Sequence, residues 1–389
     1  MRPRVLIVHP EGNLNNNPNL TGIVELLVEA GYAVDVKCPR MPISQTAPCR
    51  DVRMRFEMGL FSRRRQQLID RFGFNLLTGV AALLCDPSIL FQRYALVIGV
   101  DRYGLVEASA IGRLLGIPTA LISYEIFFAD ECSPGFKEVE RRAARSIRFA
   151  VCQDAVRTEF LSRENNIPVE NILCVPVAGR TPKAGDRTYR LHDRLGIDRS
   201  KKIALVSGSI EHWSGIGPLA SSVGDWPSDW VLVLHDRYAA ASAAEFQKRA
   251  GNARVYVSNW DIPDVRDIGQ LLRSADLGIA LYTPDFQSRY TGKNLQHIGL
   301  ASGKISTYLQ HGLPVLVNDV GEISDLVRRH NVGYVITNVR DIAPLLHAFS
   351  RDEYSRRCVE FFSSHLDLNG FAPALLSAVQ QSVQDTTAA

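Results

Sequence analysis

Short β-branched and apolar runs alternate with helical periodicity along almost the whole chain, the pattern of parallel strands covered by helices on both faces. In the first half, strands are predicted at residues 4–8, 32–37, 95–100, 119–123, 148–152 and 172–175, with helices at 19–30, 106–115 and 155–165. Gly31 and Gly116 close two of these helices, and Pro118 leads into the strand that follows. The periodicity fades between 177 and 191, where Gly179, Arg180, Pro182, Lys183, Gly185 and Asp186 make a polar, turn-rich stretch. It restarts with strands at 202–206, 230–234, 253–257, 277–281, 315–318 and 333–336, and helices at 241–249, 268–274, 304–311 and 323–329. The pattern predicts two doubly wound, Rossmann-like α/β domains, at 1–179 and 191–365, joined by a linker at 180–190 and followed by a helical tail at 366–389. Two such open sheets would face each other across a central cleft. Ligands bind beyond the carboxyl ends of the strands in folds of this kind, so the residues just after each strand carry the candidate chemistry.

Composition narrows this picture. A chain of 389 residues exceeds one typical core, and 46 % apolar with 22 % charged residues is a globular balance. A net charge of +3 gives no reason to expect a nucleic-acid partner. The seven cysteines (Cys38, Cys49, Cys85, Cys132, Cys152, Cys174, Cys358) form no CxxC pair, so free thiols in a reducing cytosol are expected rather than zinc or disulfides. Residues 1–8 run straight into a strand without a signal-peptide pattern, which points to a cytoplasmic location. The most apolar long window, 72–91, contains Asn75, Asp86 and Pro87 and falls short of a membrane span. Before it stand Arg53, Arg55, Arg63, Arg64, Arg65 and Arg71, interleaved with Phe56, Leu60, Phe61 and Leu68. That mixture suits a peripheral contact with an anionic membrane or an acidic acceptor, and reads also as a solvated basic helix face.

The stretch 301–317, Ala-Ser-Gly-Lys-Ile-Ser-Thr-Tyr-Leu-Gln-His-Gly-Leu-Pro-Val-Leu-Val, reads as a helix opening with Gly303 and Lys304, then a Gly-Leu-Pro turn, then a buried strand. A helix N-terminus offers unpaired amides and partial positive charge, which suits a phosphate; an ordinary crossover with a solvated lysine reads the same way. Ser207-Gly208-Ser209 ends the first strand of the second domain, and a glycine turn there lets backbone approach a phosphate closely.

Together these segments resemble a glycosyltransferase of the GT-B type, and are most similar to the family 4 retaining enzymes. Residues 303–315 resemble that family's K-x-x-E-Y-L-x-x-G-x-P-V helix and turn. Ser274-Ala275-Asp276-Leu277-Gly278-Ile279-Ala280-Leu281-Tyr282 resembles its strand entering the donor site, and Glu322-Ile323-Ser324-Asp325-Leu326-Val327 with Gly333 the next element. Gly116-Ile117-Pro118 and Ser123-Tyr124-Glu125 fit more loosely. The resemblance implies a nucleotide-diphosphate sugar held by the second domain and an acceptor (glycan, lipid-linked sugar or small metabolite) held by the first. Polysaccharide biosynthesis is the implied setting. It implies no metal and no bound cofactor, and no dedicated protein base, because the leaving phosphate itself assists deprotonation of the acceptor.

On this reading Ser207, Gly208, Ser209, Gly303, Lys304 and Ile305 cradle the diphosphate, Lys293 and Arg289 sit within reach on the loop after Tyr282, and Trp260 stacks on the base. Two family glutamates are absent: their positions fall on Gly299 and Thr307. Thr307 retains one hydroxyl for the ribose, and Glu322 is the candidate substitute. The family's basic residue after the 202–206 strand is also absent from Glu211-His212-Trp213-Ser214-Gly215. On the acceptor side stand Glu11, Gly12, Asn13, Asn15, Asn16, Asn17 and Tyr124. Four asparagines exceed the single Asx cap that the next helix needs, which points to sugar hydroxyls. Asp101 and Glu125, each just past a strand, are with Lys304 the candidate catalytic groups. A degenerate member that binds a nucleotide sugar or a partner without turnover is the alternative. A sugar-nucleotide epimerase lacks support, since no early Gly-Thr-Arg-Pro-Glu-like segment is present.

Overall fold

A computed structural model describes residues 2–40, 45–57, 64–236, 244–248 and 251–387. The chain divides into two compact units, residues 1–177 with 368–389, and residues 178–367. In the first unit the strands are β1 (Arg4–Val8), β2 (Ala33–Cys38), β3 (Val52–Phe56), β4 (Tyr94–Val100), β5 (Thr119–Ile122), β6 (Ile147–Cys152) and β7 (Ile172–Cys174). They form one parallel sheet in the order β3-β2-β1-β4-β5-β6-β7. Their apolar runs are buried because helices cover both faces. Helix α1 (Pro18–Glu29) starts where Asn17 accepts from the Leu20 amide at 3.0 Å and Pro18 sets the first turn. After β3 comes a two-turn helix at Arg65–Phe72, and then α2 (Leu76–Cys85), α3 (Asp101–Leu115), α4 (Pro134–Ala144) and α5 (Ala155–Asn165). Gly116 and Asn166, both left-handed, terminate α3 and α5.

The second unit holds β8 (Lys202–Gly208), β9 (Trp230–Asp236), β10 (Val255–Ser258), β11 (Leu277–Ala280), β12 (Val315–Asn318) and β13 (Gly333–Ile336), again parallel, in the order β10-β9-β8-β11-β12-β13. Helices α6 (Gly303–Gln310) and α7 (Glu322–His330) follow β11 and β12. Only 244–248 of the helix expected at 241–249 lies within the described residues, and it is helical. The chain then returns to the first unit with α8 (Leu368–Thr387), whose Leu368, Leu375 and Val379 join the core beside α1.

Residues 180–190 contain no strand and only the start of a helix at Arg190, and they are fastened to the second unit. Gln310 Nε2 donates to the carbonyls of Arg180 and Thr181, His311 Nδ1 lies 3.1 Å from the Lys183 carbonyl, and Arg187 grips both oxygens of Asp276. Asp276 also accepts from the Ile203 amide at 2.8 Å, tying this segment to the start of the central strand β8.

The arginine-rich stretch corrects one expectation. Val52, Met54 and Phe56 alternate with Arg53 and Arg55 along an extended strand, β3, which pairs with β2 at the edge of the sheet. Arg55 is buried and bonded to Asp35, with Asp86 at 3.3 Å, so it is withdrawn from any surface contact. Leu60, Phe61 and Arg63 lie outside the described residues. Asp35 also accepts from Arg4 Nη1 at 2.6 Å and from the Tyr94 hydroxyl at 2.7 Å. Beside it, buried Lys37 bonds Glu57 at 2.6 Å and Glu107. No described helix is long and apolar enough to cross a membrane.

Candidate functional site

In the second unit the strand order reverses between β8 and β11, which leaves a crevice beyond their carboxyl ends. Three of the predicted donor residues meet there. Gly208 closes β8 with φ +126, and a Cβ on it would stand 3.1 Å from Lys304 Cε and 3.8 Å from Nζ. Only glycine combines that backbone with so close a lysine stem. Ser207, one residue earlier, is buried with its hydroxyl oxygen lacking a hydrogen-bond partner among the described residues. Its amide is satisfied, the N–H donating to the Tyr308 hydroxyl at 2.7 Å. Tyr308 reaches this point across β11 because Gly278 has no side chain, and a Cβ there would be 2.4 Å from the ring.

Helix α6 opens over the same crevice. Ser302 caps it, accepting from the Ile305 amide at 3.3 Å, so that amide belongs to the cap while those of Gly303 and Lys304 precede the first ladder bond, Ser306 to Ser302. Ser302 Oγ also lies 2.5 Å from the Tyr282 hydroxyl, and Lys304 Nζ lies 5.9 Å above the Tyr282 ring. Burial pushes the Tyr282 phenol up to about 12, partly countered by the Ser302 hydrogen bond. Trp213 stacks nearly parallel on the same ring, with centroids 6.3 Å apart. Asn318, at the end of β12, exchanges hydrogen bonds of 2.9 and 2.6 Å with the Tyr282 backbone and locks the two strand ends together.

The remaining predicted donor residues are spread more widely. Ser209 is partly exposed just past Gly208, and Glu322 opens α7 after Gly321. Thr307 is buried, its hydroxyl donating to the Gly303 carbonyl at 2.6 Å within its own helix. Trp260 follows β10, two strands from β8 and so on the order of 10 Å away, with the Arg194 guanidinium 4.8 Å over its ring. Lys293 and Arg289 are partly exposed on the segment after β11.

In the first unit the strand order reverses between β1 and β4, and the carboxyl groups gather there. Asp101 opens α3 in the left-handed region at φ +51, a conformation aspartate tolerates better than most residues. Its Oδ1 accepts from the amides of Tyr124 at 2.6 Å and Glu125 at 2.9 Å, so it shapes the loop after β5. Desolvation, then the charges of Glu11 and Glu125, raise its pKa well above the usual carboxylate range, against those two amides. Glu125 is half-buried, and desolvation lifts its carboxyl to about 7, against Arg157 and with a further push from Glu11. Glu11 itself is raised by desolvation and eased by Asn13. Arg157 is buried and holds the loop by donating to the Tyr124 carbonyl at 2.7 Å and to Gln153 at 2.8 Å.

The asparagine loop is more structural than its composition suggested. Asn13 pairs with His9 at 2.8 Å, Asn15 is buried and bonds Thr46, and Asn17 caps α1. Gly12 makes the turn at φ +70, Asn16 bonds back to the Asn13 carbonyl, and Tyr124 donates to Asn19 at 2.9 Å. Among the described residues no group of three or more His, Cys, Asp or Glu is placed to hold a metal ion.

Comparison with solved structures decides the architecture. The sucrose-phosphate synthase of Thermosynechococcus elongatus superposes with a TM-score of 0.69 at 13 % identity, covering 98 % of this chain and 99 % of that one. The α,α-trehalose-phosphate synthase (UDP-forming) of Burkholderia vietnamiensis gives 0.65 at 11 % identity, covering 100 % and 99 %. The chain has the GT-B fold. Anabaena HepE, solved in complex with UDP and glucose, gives 0.62 at 14 % identity, covering 97 % and 99 %. A sequence family described as glucosyltransferase 3-like, C-terminal domain, matches residues 247–377. No curated protein matches the chain by sequence. Within this GT-B chain, sequence reasoning missed Tyr282, Trp213, Asn318 and Arg157 as parts of the two strand-end clusters. Tyr282 and Asn318 stand at strand ends, which was the available signal; Trp213 and Arg157 reach their places only through the fold.

Proposed function

We propose that this chain is a cytoplasmic glycosyltransferase that moves a hexosyl group from a nucleotide-diphosphate sugar to an acceptor hydroxyl with retention, without a metal, in the manner of family 4. One observation carries the proposal: at the β8/β11 reversal, a buried serine hydroxyl without a partner, a left-handed glycine and a lysine stem meet under the opening turn of α6. That set fits a diphosphate. The Ser207 hydroxyl and the Gly303 and Lys304 amides donate to phosphoryl oxygens, and the Lys304 ammonium offsets the charge that grows on the leaving oxygen. UDP is the first donor nucleotide to try, because solved proteins of the same fold were crystallised with UDP or UDP-glucose.

In the first unit, Glu125 is the group proposed to align the acceptor hydroxyl, and Asp101 is a positioning residue, since its oxygen holds the Glu125 amide. The polar loop from Glu11 to Asn17 supplies the rest of the acceptor side, a glycan, lipid-linked sugar or small metabolite. Thr307, turned back on its own helix, leaves the ribose to Glu322. The test is a panel of nucleotide sugars with and without sugar acceptors. Acceptor-dependent release of free nucleotide, with an α-linked product from an α-linked donor, supports the proposal. Tight nucleotide binding without release under any acceptor would leave a binding protein in its place.

A further inference from the structure

The amino edge of the first sheet takes no part in the chemistry above, yet it carries a cavity and an apolar face. Where β5 and β6 begin, around Pro118 and Ile147, lies a cavity of about 860 Å³ whose wall includes Arg113, Arg142, Arg145 and Arg148. All four arginines are exposed. Next to it runs α2. That helix packs on α3 through Gly79, where a Cβ would lie 2.5 Å from Leu114 Cδ1 and 2.9 Å from the Ala110 carbonyl oxygen. Its packed face is Thr78, Gly79, Ala82 and Cys85. The other face leaves Leu76 66 %, Leu77 63 % and Leu84 55 % exposed, and the following turn leaves Phe91 83 % exposed. Cavity and helix are continuous: Phe74 lines the cavity just before α2, and its carbonyl accepts from Arg142 Nη2 at 3.4 Å.

Large apolar side chains clustered on one exposed face mark an interaction surface. The charge around it selects the partner. Arg145 meets only exposed Glu138, at 3.6 Å, and Arg113 has no ion pair among the described residues. A second copy joined through a two-fold axis would set this arginine group against itself. An anionic bilayer places phosphates beside the arginines and hydrocarbon beneath the leucines. We propose that this face docks the protein on an anionic phospholipid surface, with Leu76, Leu77, Leu84 and Phe91 entering the acyl boundary and the arginine-lined cavity receiving lipid phosphates. The inference stands apart from the glycosyl-transfer proposal, and it moves the membrane contact from the 53–71 stretch to α2.

Flotation of the full-length chain with vesicles tests it. Vesicles of phosphatidylcholine with phosphatidylglycerol should carry the protein upward, and vesicles of phosphatidylcholine alone should not. Leu77→Ser with Leu84→Ser, and separately Arg145→Gln with Arg148→Gln, should each lower the partition coefficient by about tenfold at an unchanged melting temperature. Leu77→Trp gives a readout that needs no loss of binding: its added emission should shift to the blue on the anionic vesicles. Absence of flotation, equal flotation with neutral vesicles, arginine dependence without leucine dependence, or no blue shift each overturns the proposal. So does a dimer in sedimentation that the leucine variant dissociates, because the face would then be covered by a second copy.

Discussion

Replacing Lys304 with methionine separates its charge from its stem. The stem passes Gly208 so closely that an added Cβ there would be 3.1 Å from Lys304 Cε, and methionine keeps an unbranched apolar chain in that place. What is lost is the ammonium at the mouth of the β8/β11 crevice. A hydrogen bond to a charged group contributes about 1.5–3 kcal/mol. Coulomb's law at an effective dielectric of about 20 gives roughly 4 kcal/mol for unit charges about 4 Å apart, and the partial exposure of Lys304 brings this into the same range. At about 1.4 kcal/mol per decade, the Kd for UDP should rise about 10–150-fold in Lys304→Met. Isothermal titration with UDP and UDP-glucose at fixed salt reads this directly, with the melting temperature of the unliganded variant as the control for folding. A Kd within about twofold of the parent, in a folded variant, would refute the placement of the diphosphate beside Lys304.

Three further predictions concern protonation and buried charge. The Glu125 carboxyl, raised to about 7, lets the folded chain hold an extra proton between its ordinary range and neutrality, so this contribution to stability is full at low pH and lost as pH rises through about 7. Glu125→Gln should flatten that drift in melting temperature and abolish an inflection near pH 7 in kcat/KM; an unchanged profile removes Glu125 from the acceptor side. His311 runs the other way: desolvation first, then Lys183 and Arg273, lower it to about 4, so the neutral ring stabilises the second unit above about 6.5 and that stability is lost as pH falls towards 4. The loss amounts to about 3 kcal/mol when complete, and denaturant melts of His311→Gln should show a flatter acid limb than the parent. Lys37→Met removes the ammonium that buried Glu57 and Glu107 share and should cost about 3–5 kcal/mol in urea unfolding; a variant as stable as the parent would show that those carboxyls are neutral in the fold.

The parts of this fold that were legible are those fixed by a short window. The strands at 4–8, 315–318 and 333–336 and the helix at 155–165 fall where apolar runs and end signals place them, because each is bounded by its own turn or cap. Strand β3 was not legible. Arg53 and Arg55 lower its apolar character, and the groups that make Arg55 a buried residue, Asp35 and Asp86, lie 20 and 31 residues away. The site shows the same division. Gly208 and Lys304 were read from local pattern and meet in space, whereas the commitment of the Ile305 amide to the Ser302 cap and of Thr307 to the Gly303 carbonyl depends on side-chain rotamers no window reports. The internal partners of the asparagine loop were hidden for a related reason. A count of donors and acceptors says nothing of partners such as Thr46, which takes up Asn15 from 31 residues away.

A crystal structure of the UDP complex tests the central claim most directly. The account predicts the two phosphates within hydrogen-bond reach of the Ser207 hydroxyl, the Gly303 amide and the Lys304 ammonium. Phosphates bound away from the β8/β11 crevice, with Ser207 Oγ and Lys304 untouched, would contradict it.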